Sequence, residues 1–250
     1  MSNPLNNRVV AVTGGGTGIG AACCLAFASA GASVAVIYHR SSAEAASTVA
    51  ACEALGVRAV ALRADCAVDA EVRGALGEAA AKLGGIDILV VSTGTTRFIP
   101  LADLEAVTDA DWDAILGLNL RGAFYAARAA APLMRARGGG LIVNVASVAG
   151  LTGTGSSLPY AASKGGLVTM TKSLSRALAP DIRVNAVAPG IVATRWVEGR
   201  EEFVEQHAAG TPMQRVATAE DVAGVVLSFA TTSTFLTGSV VVVDGGREMR

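Results

Sequence analysis

The stretch from Arg8 to Tyr38 constrains the fold more than any other part of the chain. Arg8-Val9-Val10-Ala11-Val12-Thr13 is a short apolar run that reads as a buried strand. It leads straight into Gly14-Gly15-Gly16-Thr17-Gly18-Ile19-Gly20, and then into the helix pattern Ala21–Ala28, which Gly31 stops. Glycines permit positive φ and close approach of the backbone to a ligand. The helix start behind them offers unpaired N–H groups and a positive dipole end. Strand, glycine turn and helix together form the setting of a dinucleotide-binding fingerprint. The spacing T-G-x-x-x-G-x-G, through Thr13, Gly14, Gly18 and Gly20, begins at the strand end. A looser G-x-G-x-x-A, through Gly16, Gly18 and Ala21, also fits. No Lys, Arg, Asp or Glu occurs from Val9 to Tyr38, so hydropathy alone would suggest a membrane span or a signal peptide. The glycines fall where turns belong, and a strand–turn–helix–strand explains the stretch better.

The same alternation continues along the chain. Apolar β-branched runs predict strands at 8–13, 33–38, 58–64, 86–92, 140–146, 182–188 and 239–243. Helical periodicity predicts helices at 18–30, 42–55, 68–83, 109–136, 158–179 and 219–230. Buried strands alternating with helices imply an α/β fold, a parallel sheet of about seven strands with helices on both faces. No linker interrupts the pattern, so residues 1–250 read as a single domain. Asp109 is the expected N-cap of the 109–136 helix, and Pro132 is a candidate kink. The irregular stretch 190–218 is long for a connection and reads as a functional loop or lid with short helices of its own. A net charge of −1 gives no reason to expect a nucleic-acid or polybasic membrane partner. Cys23, Cys24, Cys52 and Cys66 have neither metal-ligand nor disulfide-framework spacing and suggest a reducing, cytoplasmic setting. His39 and His207 are isolated, and no metal site is expected.

Tyr160 and Lys164 stand four residues apart on a predicted helix, and such residues share a face. An ammonium near a phenol favours the phenolate and lowers the tyrosine pKa toward neutrality. A tyrosine in that position is a candidate general acid or base.

Taken in order, these and further motifs resemble a short-chain dehydrogenase/reductase over essentially the whole chain, nearest in flavour to the 3-oxoacyl-(acyl-carrier-protein) reductases. Thr13–Gly20 resembles the family's cofactor glycine motif, Asp65 its adenine-holding acid, and Asn119 the helix asparagine of its catalytic tetrad. Ser147, thirteen residues before Tyr160, resembles the catalytic serine. Ala188–Thr194 resembles the P-G-x-V-x-T segment beside the nicotinamide, and Val243-Asp244-Gly245-Gly246 the closing motif. One motif departs. Val91-Ser92-Thr93-Gly94 replaces the family's N-N-A-G, keeping Gly94 but neither asparagine. Altered packing or affinity is expected there, with Ser92 still able to bond backbone.

The resemblance implies a Rossmann-like, doubly wound sheet and hydride transfer between a nicotinamide and a carbonyl or secondary alcohol. In that reading Tyr160 donates the proton and Lys164 tunes it and grips the ribose. Ser147 holds the substrate oxygen, and Asn119 holds a water in a relay toward Lys164. Cofactor contacts are implied at Gly14, Gly16, Thr17, Gly18, Ile19, Tyr38, His39, Arg40, Ser41, Asp65, Cys66, Ser92, Gly94, Tyr160, Lys164, Pro189, Gly190, Val192 and Thr194. NAD enzymes of this architecture place an acid at the end of the second strand. Tyr38-His39-Arg40-Ser41 stands there instead, and Arg40 suits a 2′-phosphate, so NADP(H) is favoured over NAD(H). Against this, some relatives carry a second basic residue in the glycine turn where this chain has Thr17. Substrate choice is assigned to the 190–218 loop and to residues near 95–100 and 151–158. A 3-oxoacyl thioester, a sugar, a polyol and a cyclic ketone all remain open. Arg135, Arg137, Lys172 and Arg176 could meet an acidic carrier protein or form only a solvated helix face. A silent dinucleotide-binding regulatory protein is the alternative of another class. Apolar residues around the 109–136 helix, with the resemblance, imply a homotetramer.

Overall fold

A computed structural model describes residues 3–248. Seven strands form one wholly parallel sheet: β1 (Val9–Thr13), β2 (Ser33–Tyr38), β3 (Ala59–Arg63), β4 (Ile88–Val91), β5 (Gly140–Val145), β6 (Ile182–Pro189) and β7 (Val240–Val243). Their order is β3-β2-β1-β4-β5-β6-β7. The chain winds outward from β1 to β3, returns to β4 beside β1, and then winds the other way. The reversal lies between β1 and β4. In such sheets the crevice at the C-terminal strand ends of the reversal is where ligands bind.

Strand side chains alternate between faces, and each face has its own core. Val10 and Val12 point into one cluster with Val34, Val36, Val143 and Val187. Its covering helices include α1 (Gly18–Ser29), with Phe27, and α9 (Ala219–Thr231), with Phe229. Val9 and Ala11 point the other way, toward α3 (Asp69–Leu83), α5 (Ala123–Ala136) and α7 (Leu158–Leu178). The remaining helices are α2 (Ser42–Ala54), α4 (Asp109–Leu116), the short α6 (Ala149–Thr152) and α8 (Glu201–Ala209). Among the described residues no helix is long and apolar enough to cross a membrane.

Two expectations for the 109–136 helix are corrected. Its N-cap is Thr108, not Asp109. The Thr108 hydroxyl accepts the Asp111 N–H at 3.3 Å, and Asp111 Oδ2 accepts the Thr108 N–H at 2.9 Å, a reciprocal capping box. The helix is also not continuous α: Gly117–Gly122 is a π-helical segment between α4 and α5. The irregularity therefore centres on Asn119 rather than on Pro132, which lies inside α5. Such π segments are rare and concentrate at functional sites.

The 190–218 stretch does contain short helices of its own, a 3₁₀ turn at Arg195–Val197 and α8, and a single bridge between Val192 and Ala217 closes its base. All four cysteines are buried free thiols. Burial pushes Cys23 up to about 12 and Cys52 up to about 11, so they remain protonated and behave as small apolar groups.

Candidate active site

The glycine turn is built from conformations that only glycine adopts readily. Gly14 has φ +69° and Gly18 has φ +52°. A methyl group on Gly20 would overlap the Gly14 carbonyl oxygen, so the turn folds tightly under the start of α1. The Thr17 N-cap makes no side-chain capping bond, and the first turn of α1 carries no acidic residue. The positive helix end is thus left for an external anion, which fits a pyrophosphate.

The turn is joined to β4 through Thr13. Its hydroxyl accepts the backbone N–H groups of Ser92 at 3.2 Å and Thr93 at 3.4 Å. Thr93 Oγ1 lies 3.5 Å from Cys66 Sγ. The altered V-S-T-G segment is thus held through the backbone N–H groups of Ser92 and Thr93. Gly94 then brings the centre together. A Cβ there would stand 3.5 Å from Asn119 Oδ1 and 3.7 Å from Lys164 Nζ.

Asn119 is buried in the π segment and locks it in place. Its Oδ1 accepts the Thr95 N–H at 2.8 Å. Its Nδ2 donates to the Thr95 carbonyl at 3.0 Å and to Ser163 Oγ at 3.0 Å. Both amide hydrogens are thus used internally, and a relay water at Asn119 would have to donate to it.

Ser147 follows β5, and its hydroxyl accepts the Ala149 N–H at 3.2 Å. Tyr160 stands in the first turn of α7, where the Ser157 side chain caps its N–H at 3.4 Å and Pro159 precedes it. Burial pushes the Tyr160 phenol above its ordinary value, and the Ser147 side chain, by favouring the phenolate, opposes the shift only in part. Lys164 has the ring centroid of Tyr160 5.7 Å from its Nζ, which donates to the Val145 carbonyl at 2.8 Å. The expected lowering of the tyrosine by Lys164 is therefore not found in the protein alone. Burial acts on the lysine as well, bringing it down to about 8.

Ser147, Tyr160 and Lys164 line a cavity of about 1160 Å³. Of the expected cofactor residues, Gly14, Thr17, Gly18, Ile19, Ser41, Ser92, Gly94, Pro189, Gly190, Val192 and Thr194 line it too. Gly16, Tyr38, His39, Arg40, Asp65, Cys66 and Asn119 do not. Most of these flank it at the ends of β2 and β3, where His39 Nδ1 approaches Asp65 Oδ2 at 4.0 Å. Arg40 is exposed. At the other end, the three stretches expected to choose the substrate converge. Thr96 Oγ1 meets Ser156 Oγ at 2.7 Å, and the Arg200 guanidinium lies 3.8 Å from the centre of the Phe98 ring. Trp196 sits with its ring centre 5.8 Å from that of Tyr160.

Arg195 and Trp196 are functional candidates that the sequence alone did not single out. Arg195 Nη2 donates to Thr17 Oγ1 and to Ser41 Oγ, each at 3.2 Å, and Nη1 pairs with Glu44 at 3.0 Å. These contacts span more than 150 residues of chain, and only their position directly after Thr194 gave any hint. Of the four candidate carrier-binding cations, Arg135 pairs with Asp181 and Arg137 with the buried Asp87. Lys172 and Arg176 are exposed on α7.

Glycine turn, strand order and the Ser147–Tyr160–Lys164 cluster match one family of known proteins. A family model described as enoyl-(acyl carrier protein) reductase matches residues 14–248. The chain belongs to the short-chain dehydrogenase/reductase family. It is 37% identical over 248 residues to a 3-oxoacyl-[acyl-carrier-protein] reductase of Synechocystis, covering 98% of each chain. A short-chain dehydrogenase of Burkholderia cenocepacia, solved in complex with NADP, superposes with a TM-score of 0.90 at 35% identity, covering 98% of this chain and 99% of that one. Levodione reductase superposes with a TM-score of 0.91 at 29% identity, covering 97% and 98%. The protein is thus an oxidoreductase of alcohols and ketones that uses a nicotinamide cofactor.

Proposed function

We propose that this short-chain dehydrogenase/reductase is an NADP(H)-dependent carbonyl reductase whose substrate class is the 3-oxoacyl thioester. The observation that carries the reading is the continuity of one cavity. It runs from Thr17 and Ser41, past Ser147 and Tyr160, to Phe98 and Trp196. A cofactor and a substrate can therefore meet at the tyrosine.

When bound, the nicotinamide supplies the hydride that adds to the carbonyl carbon. Tyr160 Oη gives its proton to the carbonyl oxygen, and a ketone becomes a secondary alcohol. Ser147 donates a hydrogen bond to the same oxygen while its charge develops. Lys164 holds the ribose hydroxyls and supports the phenolate that remains. Asn119 fixes the geometry of this corner through Thr95 and Ser163. Pro189, Gly190, Val192 and Thr194, which line the cavity, would face the nicotinamide, and Asp65 and Cys66, just after β3 and outside that lining, would hold the adenine end. Arg40 addresses the 2′-phosphate. The 190–218 segment is the substrate lid, with Trp196 over Tyr160. The relative named for 3-oxoacyl-carrier reduction and the NADP-bound neighbour support the choice of substrate and cofactor. The setting consistent with four free thiols is a reducing, cytoplasmic one.

NADPH oxidation with 3-oxoacyl thioesters and simple cyclic ketones, and NADP+ reduction with sugars and polyols, tests the proposal. The highest kcat/KM is expected with a 3-oxoacyl thioester. A higher value with a sugar or cyclic ketone would replace the substrate class. Tight NADPH binding without turnover of any of them would mark a regulatory dinucleotide-binding protein instead.

A further inference from the structure

We infer that Arg195, from the lid segment, supplies a second cation to the cofactor's 2′-phosphate, a role the glycine turn of this chain cannot fill. The inference rests on the NADP(H) reading above. Thr17 occupies the place in the turn where a basic residue would help, and no basic residue lies between Val9 and Tyr38. The structure brings one there from far away in sequence. Arg195 Nη2 reaches both the Thr17 and the Ser41 hydroxyls at 3.2 Å. Those hydroxyls stand on the loops after β1 and β2, between which the adenosine ribose of a dinucleotide lies in this architecture. A guanidinium spanning them, with Arg40 exposed nearby, forms a cluster of donors suited to a phosphate.

Glu44 acts as the resident anion of that cluster. Its Oε1 accepts from Arg195 Nη1 at 3.0 Å, and both partners are about half exposed. Such a surface pair is weak and readily exchanged. A 2′-phosphate, with more charge and more acceptor oxygens, takes the place of the carboxylate on Arg195. The neighbouring residues carry the contact toward the catalytic centre. Thr194 packs against Gly18, its Cγ2 3.3 Å from where a Cβ there would stand, and Trp196 lies beside Tyr160. Recognition of the phosphate by Arg195 thus seats the lid over the tyrosine.

Titration calorimetry on the full chain, without substrate, tests this with four ligands: NADPH, NADH, adenosine 2′-monophosphate and ADP. Arg195→Ala is expected to weaken NADPH and adenosine 2′-monophosphate by roughly ten- to a hundredfold, as loss of a charge-assisted bond does. NADH and ADP should change by less than about threefold, since they lack the 2′-phosphate. Arg40→Ala should show the same selectivity. Glu44→Gln should tighten NADPH, because the anion competing for Arg195 is gone. Equal losses for NADPH and NADH would place Arg195 on the pyrophosphate and overturn the inference. Unchanged NADPH affinity in Arg195→Ala would overturn it while leaving the cofactor reading intact. A wild-type protein that binds NADH at least as tightly as NADPH would remove the cofactor reading and the role of Arg195 with it.

Discussion

Lys164 is the residue on which burial acts with the most visible consequence. Its ammonium is charged below about pH 8 and loses its proton as pH rises through that value. Whatever the charge contributes, at the ribose or at the Tyr160 phenolate, is therefore present at neutral pH and fades above pH 8. NADPH affinity of the wild-type protein is expected to fall as pH is raised from 8 to 10. Lys164→Met should bind more weakly at pH 7 and show no such fall, as titration calorimetry at each pH would reveal. A parallel fall in both proteins would assign the titration elsewhere. Tyr160 behaves in the opposite sense: burial holds its proton on, so at neutral pH it stands ready as an acid.

At the scale of elements, close backbone approaches set the geometry of the site. Gly150, in α6, lies so near α7 that a Cβ would stand 2.6 Å from the Gly165 nitrogen and the Lys164 oxygen. Gly150→Ala must push the two helices apart at Lys164. A loss of about 1–3 kcal/mol is expected in urea unfolding, with a fall in turnover. Gly74, exposed on α3, has nothing within 4 Å of a Cβ. Gly74→Ala should instead add about 0.5–1 kcal/mol, with turnover unchanged. The seven strands were legible because β-branched apolar runs in a parallel sheet are set by local composition and burial on both faces. The Thr108 cap was also legible, since Thr108-x-x-Asp111 is a capping pattern, yet the more acidic Asp109 drew the assignment. The π segment was not legible, because it is fixed by Asn119 bonding Thr95 and Ser163, contacts set by tertiary packing. Spacing alone placed Tyr160 and Lys164 on one helix face, but the balance of burial against charge that sets their pKa values depends on neighbours from β5 and its following turn.

On the scale of the whole molecule, two apolar surfaces call for cover. Trp112 and Phe124 remain more than a third exposed on α4 and α5. At the sheet edge, β7 pairs only with β6 among the described residues, Val242 is 41% exposed and Phe235 is fully exposed. We propose that each of these surfaces meets its own copy across a two-fold axis, which would give a tetramer of D₂ symmetry. Light scattering at micromolar concentration is expected to report a tetramer of the 25.1 kDa chain, and a stable monomer would refute the assembly. We propose that cofactor and substrate meet at Tyr160 within one continuous cavity. Their meeting there is tested most directly by measuring turnover and NADPH affinity together in Tyr160→Phe. The account predicts turnover reduced at least ~100-fold, as loss of a general acid does, with NADPH affinity changed by no more than about twofold because the ring remains. Near-normal turnover in that variant would contradict it.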